Sequence, residues 1–221
     1  TIFLPIVSSI LSTGDIKELR NIYTITTKWI FLFTLPLFIV IFASAKFLIV
    51  TLFGAEYVDA TPALQILSLG FLFHAAVGPT TMTLNALEKT KLILFNTVVA
   101  FAANISLHYF LIPKYGIVGA AIAAAAALLI LNVLTLIEIF VLYRIMPFNK
   151  NYFKILTVAV LSTSGLYLVA NYLLSGLSIL TFFLLMTAFA LCYLIFILFA
   201  RIIEPEDLVV LREVKKKFGI N

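Results

Sequence analysis

The stretch NISLHYFLIPKYGIVGAAIA, residues 104–123, decides the fold. Two apolar runs meet at Ile112-Pro113-Lys114-Tyr115-Gly116. The second run opens with Gly116, Gly119 and Ala123 at three- and four-residue spacing and continues as unbroken alanine over 123–127. Proline followed closely by glycine interrupts a helix. Small side chains at that spacing let two helix backbones approach closely. The stretch therefore reads as a short turn between two helices, with the Gly/Ala face as a packing surface. Asn104 and His108 lie four residues apart on one helix face just before the turn.

The surroundings say which solvent these helices meet. Of the 221 residues, 63% are hydrophobic and 11% are charged, and the mean hydropathy is +1.18. A soluble domain carries roughly a quarter charged residues, so water cannot solvate this surface and the chain is integral to a membrane. The single cysteine, Cys192, sits in an apolar run and has no partner for an internal disulfide. The opening IFLPIVSSIL is about half the length needed to span a bilayer. Residues 1–11 are thus expected to end a membrane helix that starts outside this sequence, and the chain to be the C-terminal part of a larger protein.

Apolar stretches of about twenty residues fall near 24–44, 61–84, 92–112, 117–142, 154–173 and 178–200. KFLIVTLF at 46–53 is too short to cross alone and extends the first helix or lies at the interface. This division is tested by charge. Of the 15 basic residues, only Lys46 and Lys114 fall in one set of alternating connections, and all others fall in the opposite set. Cytoplasmic connections keep Lys and Arg. The expected fold is all-α: a polytopic bundle of six spans plus a truncated first helix, multi-pass in the cytoplasmic membrane with both ends cytoplasmic.

Two further segments read as interfacial. Asp15 and Glu18 have the spacing of a capping box, and Ile16, Leu19, Ile22 and Tyr23 share one face, so 12–23 is expected as an amphipathic connector lying on the membrane. In the tail, 201–221, Pro205, Glu206 and Asp207 open a helix that ends in Lys215, Lys216 and Lys217, whose charges suit the helix dipole and anionic lipid. The remaining organisation is four spans over 24–142 and an additional pair over 143–200.

The chain has no GxSxG, HExxH, CxxC or Walker loop, and the expected outward connections are too short to hold reacting groups. No enzyme, cofactor, metal site or nucleic-acid partner is expected. Polar residues inside spans carry more information, because lipid cannot satisfy them. His74, Asn104 and Asn132 stand near the middle of three consecutive spans, as one polar layer. Asn96, Asn104 and His108 fall within about 120° of one helix face. These five residues are the candidate lining of a substrate cavity. Glu138 lies about one turn from a cytoplasmic helix end, where it is expected to snorkel and pair with Arg144. That depth counts against cation coupling through this half.

Three motifs in order, SSILSTGDIKELR (8–20), LFGAEYVDATPALQILSLG (52–70) and NALEKTKLILFNTVVAFAANISLHYFLIPKYGIVGAAIA (85–123), resemble the C-terminal region of polysaccharide biosynthesis flippases. These are the O-antigen and teichoic-acid type transporters of the multidrug/oligosaccharidyl-lipid/polysaccharide exporter superfamily. The resemblance implies two pseudo-symmetric six-helix bundles, often with two more helices at the C-terminus. It also implies translocation of a lipid-linked oligosaccharide by alternating access, with an N-terminal bundle of the same protein as partner. The family's cavity cations are then expected in that first bundle, since Lys28 and Lys46 are expected near membrane faces. A drug or metabolite/cation antiporter of the same superfamily and a non-catalytic scaffold of a polysaccharide-assembly complex are the alternatives.

Overall fold

The computed structural model describes Val7, residues 16–148, Tyr152, residues 154–161, residues 179–199 and Ile202. All secondary structure among them is helical. The expected capping residue Asp15, the helix end at 1–11 apart from Val7, and the basic tail apart from Ile202 lie outside the described residues. The chain divides into two units, Thr1–Pro147 and Phe148–Asn221.

In the first unit, α1 (Ile16–Ala43) is one continuous helix of 28 residues, about 42 Å long. This corrects the expected connector at 12–23. Leu19, Ile22 and Tyr23 do share a face, but they are buried in protein and the helix does not break at residue 23. An amphipathic stripe looks the same in sequence whether its apolar side meets lipid or a neighbouring helix. Lys28, in the same helix, is 3% exposed and enclosed by protein.

The apolar segment after α1 extends that helix past Ser44 as α2 (Ala45–Phe53), with Leu48 N–H still bonded to Ser44 O at 2.9 Å. A 3-10 turn at Ala55–Ala60 then leads into α3 (Thr61–Val77). Gln65 Nε2 donates to Phe42 O at 3.1 Å and ties α3 to the end of α1.

The expected span at 61–84 is not continuous. It stops at Gly78–Pro79 and resumes as α4 (Thr80–Ala86). Pro79 has no N–H to continue the ladder, and Gly78 adopts φ 75°, ψ −157°, a conformation almost confined to glycine.

The two spans around the opening stretch form α5 (Thr90–Tyr143), which reverses at Gly116 (φ 54°, ψ −130°). The arms, 90–115 and 117–143, lie antiparallel, with Asn104 Nδ2 reaching Ala123 O at 3.4 Å. A β-carbon on Gly119 would overlap the carbonyl of Leu111, so the hairpin closes because that residue is glycine. Further along the second arm, a β-carbon on Gly70 of α3 would lie 3.1 Å from Ala125 Cβ, so the alanine run seats α3 against that arm. Both contacts are the small-residue packing expected from the sequence.

In the second unit, residues 154–161 are helical. The rest of the span expected at 154–173 lies outside the described residues. α6 (Ile179–Phe199) matches the span expected at 178–200. Among the described residues, α1, residues 55–77 and α5 are each long and apolar enough to cross a membrane. The chain is a membrane protein.

Candidate functional site: a polar seam at a broken helix

The break at Gly78–Pro79 is where the polar side chains of α3, α4 and α5 converge. Breaking a helix frees carbonyls that lipid cannot satisfy. Here Ala75 O accepts from Gly78 N–H at 3.3 Å, and Val77 O accepts from the Tyr23 hydroxyl of α1 at 2.6 Å. Thr27, one turn along α1, donates its hydroxyl back to Tyr23 O at 2.7 Å. Its side chain fills the space that a β-carbon on Gly78 would need.

Just before the break, His74 Nδ1 lies 2.9 Å from Asn132 Oδ1 on the second arm of α5. Asn132 Nδ2 donates to Leu128 O at 2.7 Å, which fixes the amide with its oxygen toward the imidazole. That oxygen can only accept, so His74 carries its proton on Nδ1 and leaves Nε2 as the acceptor when neutral. Just after the break, Thr80 Oγ1 is 3.1 Å from Thr135 Oγ1, one turn beyond Asn132. Two bonds therefore bracket the interruption and pin both sides of it to one helix face.

A cavity of about 370 Å³ opens beside this seam. Ile30 and Thr34 of α1, Phe71 and His74 of α3, and Thr80 and Thr81 of α4 form part of its wall. The wall is mainly apolar with a few polar groups, the usual make-up of a small-molecule subsite. Its imidazole and hydroxyls are groups that can donate or accept a hydrogen bond.

The other expected site residues fall elsewhere. Asn132 is buried and His74 is exposed, and they form one pair. Asn104 does not join their layer. It is half-buried at the level of Ala123, and Ala123 lies about 14 Å along the arm from Asn132 at 1.5 Å per residue. Equal positions within spans became unequal depths because the expected spans were aligned by their centres, whereas the hairpin aligns them from Gly116. His108 Nδ1 donates to Asn104 O on its own helix at 2.8 Å. It borders an open hollow at the hairpin tip with Tyr109, Pro113 and Lys114.

Asn96 is fully buried and donates through Nδ2 to Glu138 Oε2 at 2.7 Å. The expected Glu138–Arg144 pair does not form. Arg144 adopts a left-handed conformation that ends the helix, and its guanidinium sits over the Phe140 ring at 5.4 Å. The polar stripe of the first arm is thus real, but Asn96 and Asn104 turn it toward the second arm. Reading the sequence missed Gly78, Pro79, Thr80 and Thr135. The Gly-Pro dipeptide inside an apolar run was the signal available for the break.

Comparison with known proteins supports this architecture. No family model matches the chain. Over 110 residues, 49% of this chain and 26% of the relative, it is 28% identical to a Shigella flexneri protein named for O-antigen transport. It is also 28% identical over 137 residues to an uncharacterised membrane protein of Methanocaldococcus jannaschii, covering 60% of this chain and 27% of that one. The lipid II flippase MurJ, in an inward closed conformation, superposes with a TM-score of 0.74 over 91% of this chain, at 21% identity. The sequence likeness is to a protein named for O-antigen transport, and the fold is shared with the lipid II flippase structure. The chain spans about a quarter of the length of the curated relatives it matches and 43% of the flippase structure.

Proposed function

We propose that the chain is the C-terminal part of a flippase that moves a lipid-linked oligosaccharide precursor across the cytoplasmic membrane by alternating access. The observation that carries this reading is the interrupted helix at Gly78–Pro79, whose break opens onto the cavity beside His74, Thr80 and Thr81. Membrane transporters build substrate sites from discontinuous helices near a bundle interface. The relationship to a protein named for O-antigen transport and the fold shared with a lipid II flippase support the same substrate class.

In this reading His74 Nε2 and the Thr81 hydroxyl meet sugar hydroxyls, Asn132 acts as a positioning residue for His74, and an N-terminal bundle supplies the opposite wall. The basic tail holds anionic lipid, and the protein works as a transporter without a cofactor. Asn96 and Asn104, expected from sequence as cavity lining, bond to the second arm of the hairpin, and His108 lines the hollow at its tip.

The test is translocation of a fluorescent lipid-linked oligosaccharide by the reconstituted full-length protein. His74→Ala is expected to slow translocation about 10-fold, the kinetic equivalent of one lost hydrogen bond of roughly 1.4 kcal/mol. Asn104→Ala is expected to change it less than about 2-fold, since that amide spans the hairpin at 3.4 Å. Equal rates for wild type and folded His74→Ala would overturn the site.

A further inference from the structure

The tip of the α5 hairpin holds a hollow separate from the seam at the broken helix. The first arm, residues 90–115, is about 39 Å long at 1.5 Å per residue, against roughly 30 Å for the hydrocarbon core of a bilayer. The turn that ends it therefore reaches a membrane–water interface. The hollow has a volume of about 640 Å³, and His108, Tyr109, Phe110 and Lys114 form part of its wall.

Three kinds of group meet in that wall. Lys114 is exposed and has no acidic partner among the described residues, so its ammonium is available to an anion. His108 gives its Nδ1 proton to Asn104 O at 2.8 Å, which leaves Nε2 as an acceptor in the neutral ring. Such an acceptor takes a hydroxyl. Tyr109 and Phe110 stand edge to face at 5.3 Å, and aromatic side chains of this kind belong at the headgroup level.

The same arm continues the hollow as an apolar track. Leu94, Val98, Phe101, Ile105 and Tyr109 recur at three- and four-residue spacing and are all exposed, so they form one stripe. It runs about 22 Å away from the tip, which is more than half of the roughly 30 Å core. A lipid whose headgroup lies in the hollow therefore has a chain-length track beneath it.

We propose that the hairpin tip binds a membrane phospholipid with an anionic, hydroxylated headgroup, of the phosphatidylglycerol class. Lys114 pairs with the phosphodiester, His108 Nε2 accepts from a glycerol hydroxyl, and one acyl chain lies along the stripe from Tyr109 to Leu94. The bound lipid holds the turn at the interface and so sets the depth of both arms. The site does not depend on the sugar subsite proposed above and is read by lipid occupancy instead of export, so either reading can fail without the other.

The experiment uses the purified full-length protein in phosphatidylcholine vesicles that contain a trace of phosphatidylglycerol with a photoreactive acyl chain. Crosslinked peptides are located by mass spectrometry. Wild type is expected to be labelled within residues 94–109, and unlabelled phosphatidylglycerol to compete. Lys114→Gln is expected to lower this labelling about tenfold, as for one lost hydrogen bond to a charged group, and Lys114→Arg to keep it. His108→Phe, which keeps a ring in the wall, is expected to lower labelling by phosphatidylglycerol. It leaves labelling by phosphatidylmethanol, which has the phosphate and no hydroxyl, unchanged. Equal labelling of 94–109 by phosphatidylcholine and phosphatidylglycerol probes, or in wild type and folded Lys114→Gln, would overturn the proposal. Competition by inorganic phosphate would make the ligand a free anion, and displacement by equimolar lipid-linked oligosaccharide would make the hollow a substrate site. Either result overturns it, as does an absence of labelling over 94–109, which would show that protein covers the stripe.

Discussion

Gly78→Val is expected to be among the most damaging single substitutions in the first unit. Gly78 sits at φ 75°, ψ −157°, where an L side chain is strained by about 1–3 kcal/mol. Its β-carbon would also overlap the Thr27 side chain of α1, and overpacking of this kind costs about 1–3 kcal/mol more. The two costs have different remedies, and that makes the prediction specific. Thr27→Ala removes the two nearest atoms, Oγ1 and Cγ2, but leaves the Thr27 Cβ 2.7 Å away and the backbone strain in place, so Gly78→Ala combined with Thr27→Ala is expected to recover only part of the stability lost by Gly78→Ala alone. Melting temperatures of the four purified proteins close the double-mutant cycle. Additive effects would show that Gly78 and Thr27 do not meet. Because the same residue opens the helix beside His74, the single variant is also expected to lose translocation out of proportion to its loss of folded protein.

The second large effect is expected at Gly119. A β-carbon there would run into the carbonyl oxygen of Leu111 and the nitrogen of Ile112 on the other side of the α5 turn. A backbone atom cannot rotate away as a side chain tip can, so even Gly119→Ala must push the arms apart. The expected cost is about 1–3 kcal/mol for alanine, more for valine, with the bond from Asn104 Nδ2 to Ala123 O broken at the same time. Gly116 provides the internal control. Its φ of 54° also favours glycine, yet a β-carbon there meets nothing within 4 Å. Its ψ of −130° lies outside the left-handed helical well, so Gly116→Asn is expected to cost the backbone strain alone, about 1–3 kcal/mol, without any overlap. Protease resistance of the hairpin and the melting temperature distinguish the pair. A Gly119→Val protein as stable as wild type would show that the arms are not in contact at this level.

The hairpin was legible in the sequence because its causes are local. Pro113, Gly116, Gly119 and the alanine run lie within a few residues of one another, and each acts on the backbone beside it. The helix break was equally local, written as Gly78-Pro79. An apolar window of span length conceals such a break, because hydropathy counts side chains and does not see a missing N–H. The connector expected at 12–23 differs over its described residues, 16–23, for another reason. Leu19, Ile22 and Tyr23 present one apolar face, and only the neighbouring protein shows that it is not turned to lipid.

The candidate site lay beyond sequence reading in its pairings. His74 and Asn132 are 58 residues apart, and Asn96 and Glu138 are 42 apart. Each was recognisable as a polar group needing a partner, and Glu138 was given the wrong one because Arg144 was nearest in sequence. What the sequence by itself determined was the solvent of this protein, the approximate spans and the existence of the α5 turn, since apolar length, Pro and Gly act locally. What only the tertiary structure decided was which polar groups satisfy each other. Hydrogen bonds within a membrane are chosen by depth and facing, and both depend on how the α5 arms align from Gly116 and on where α3 gives way.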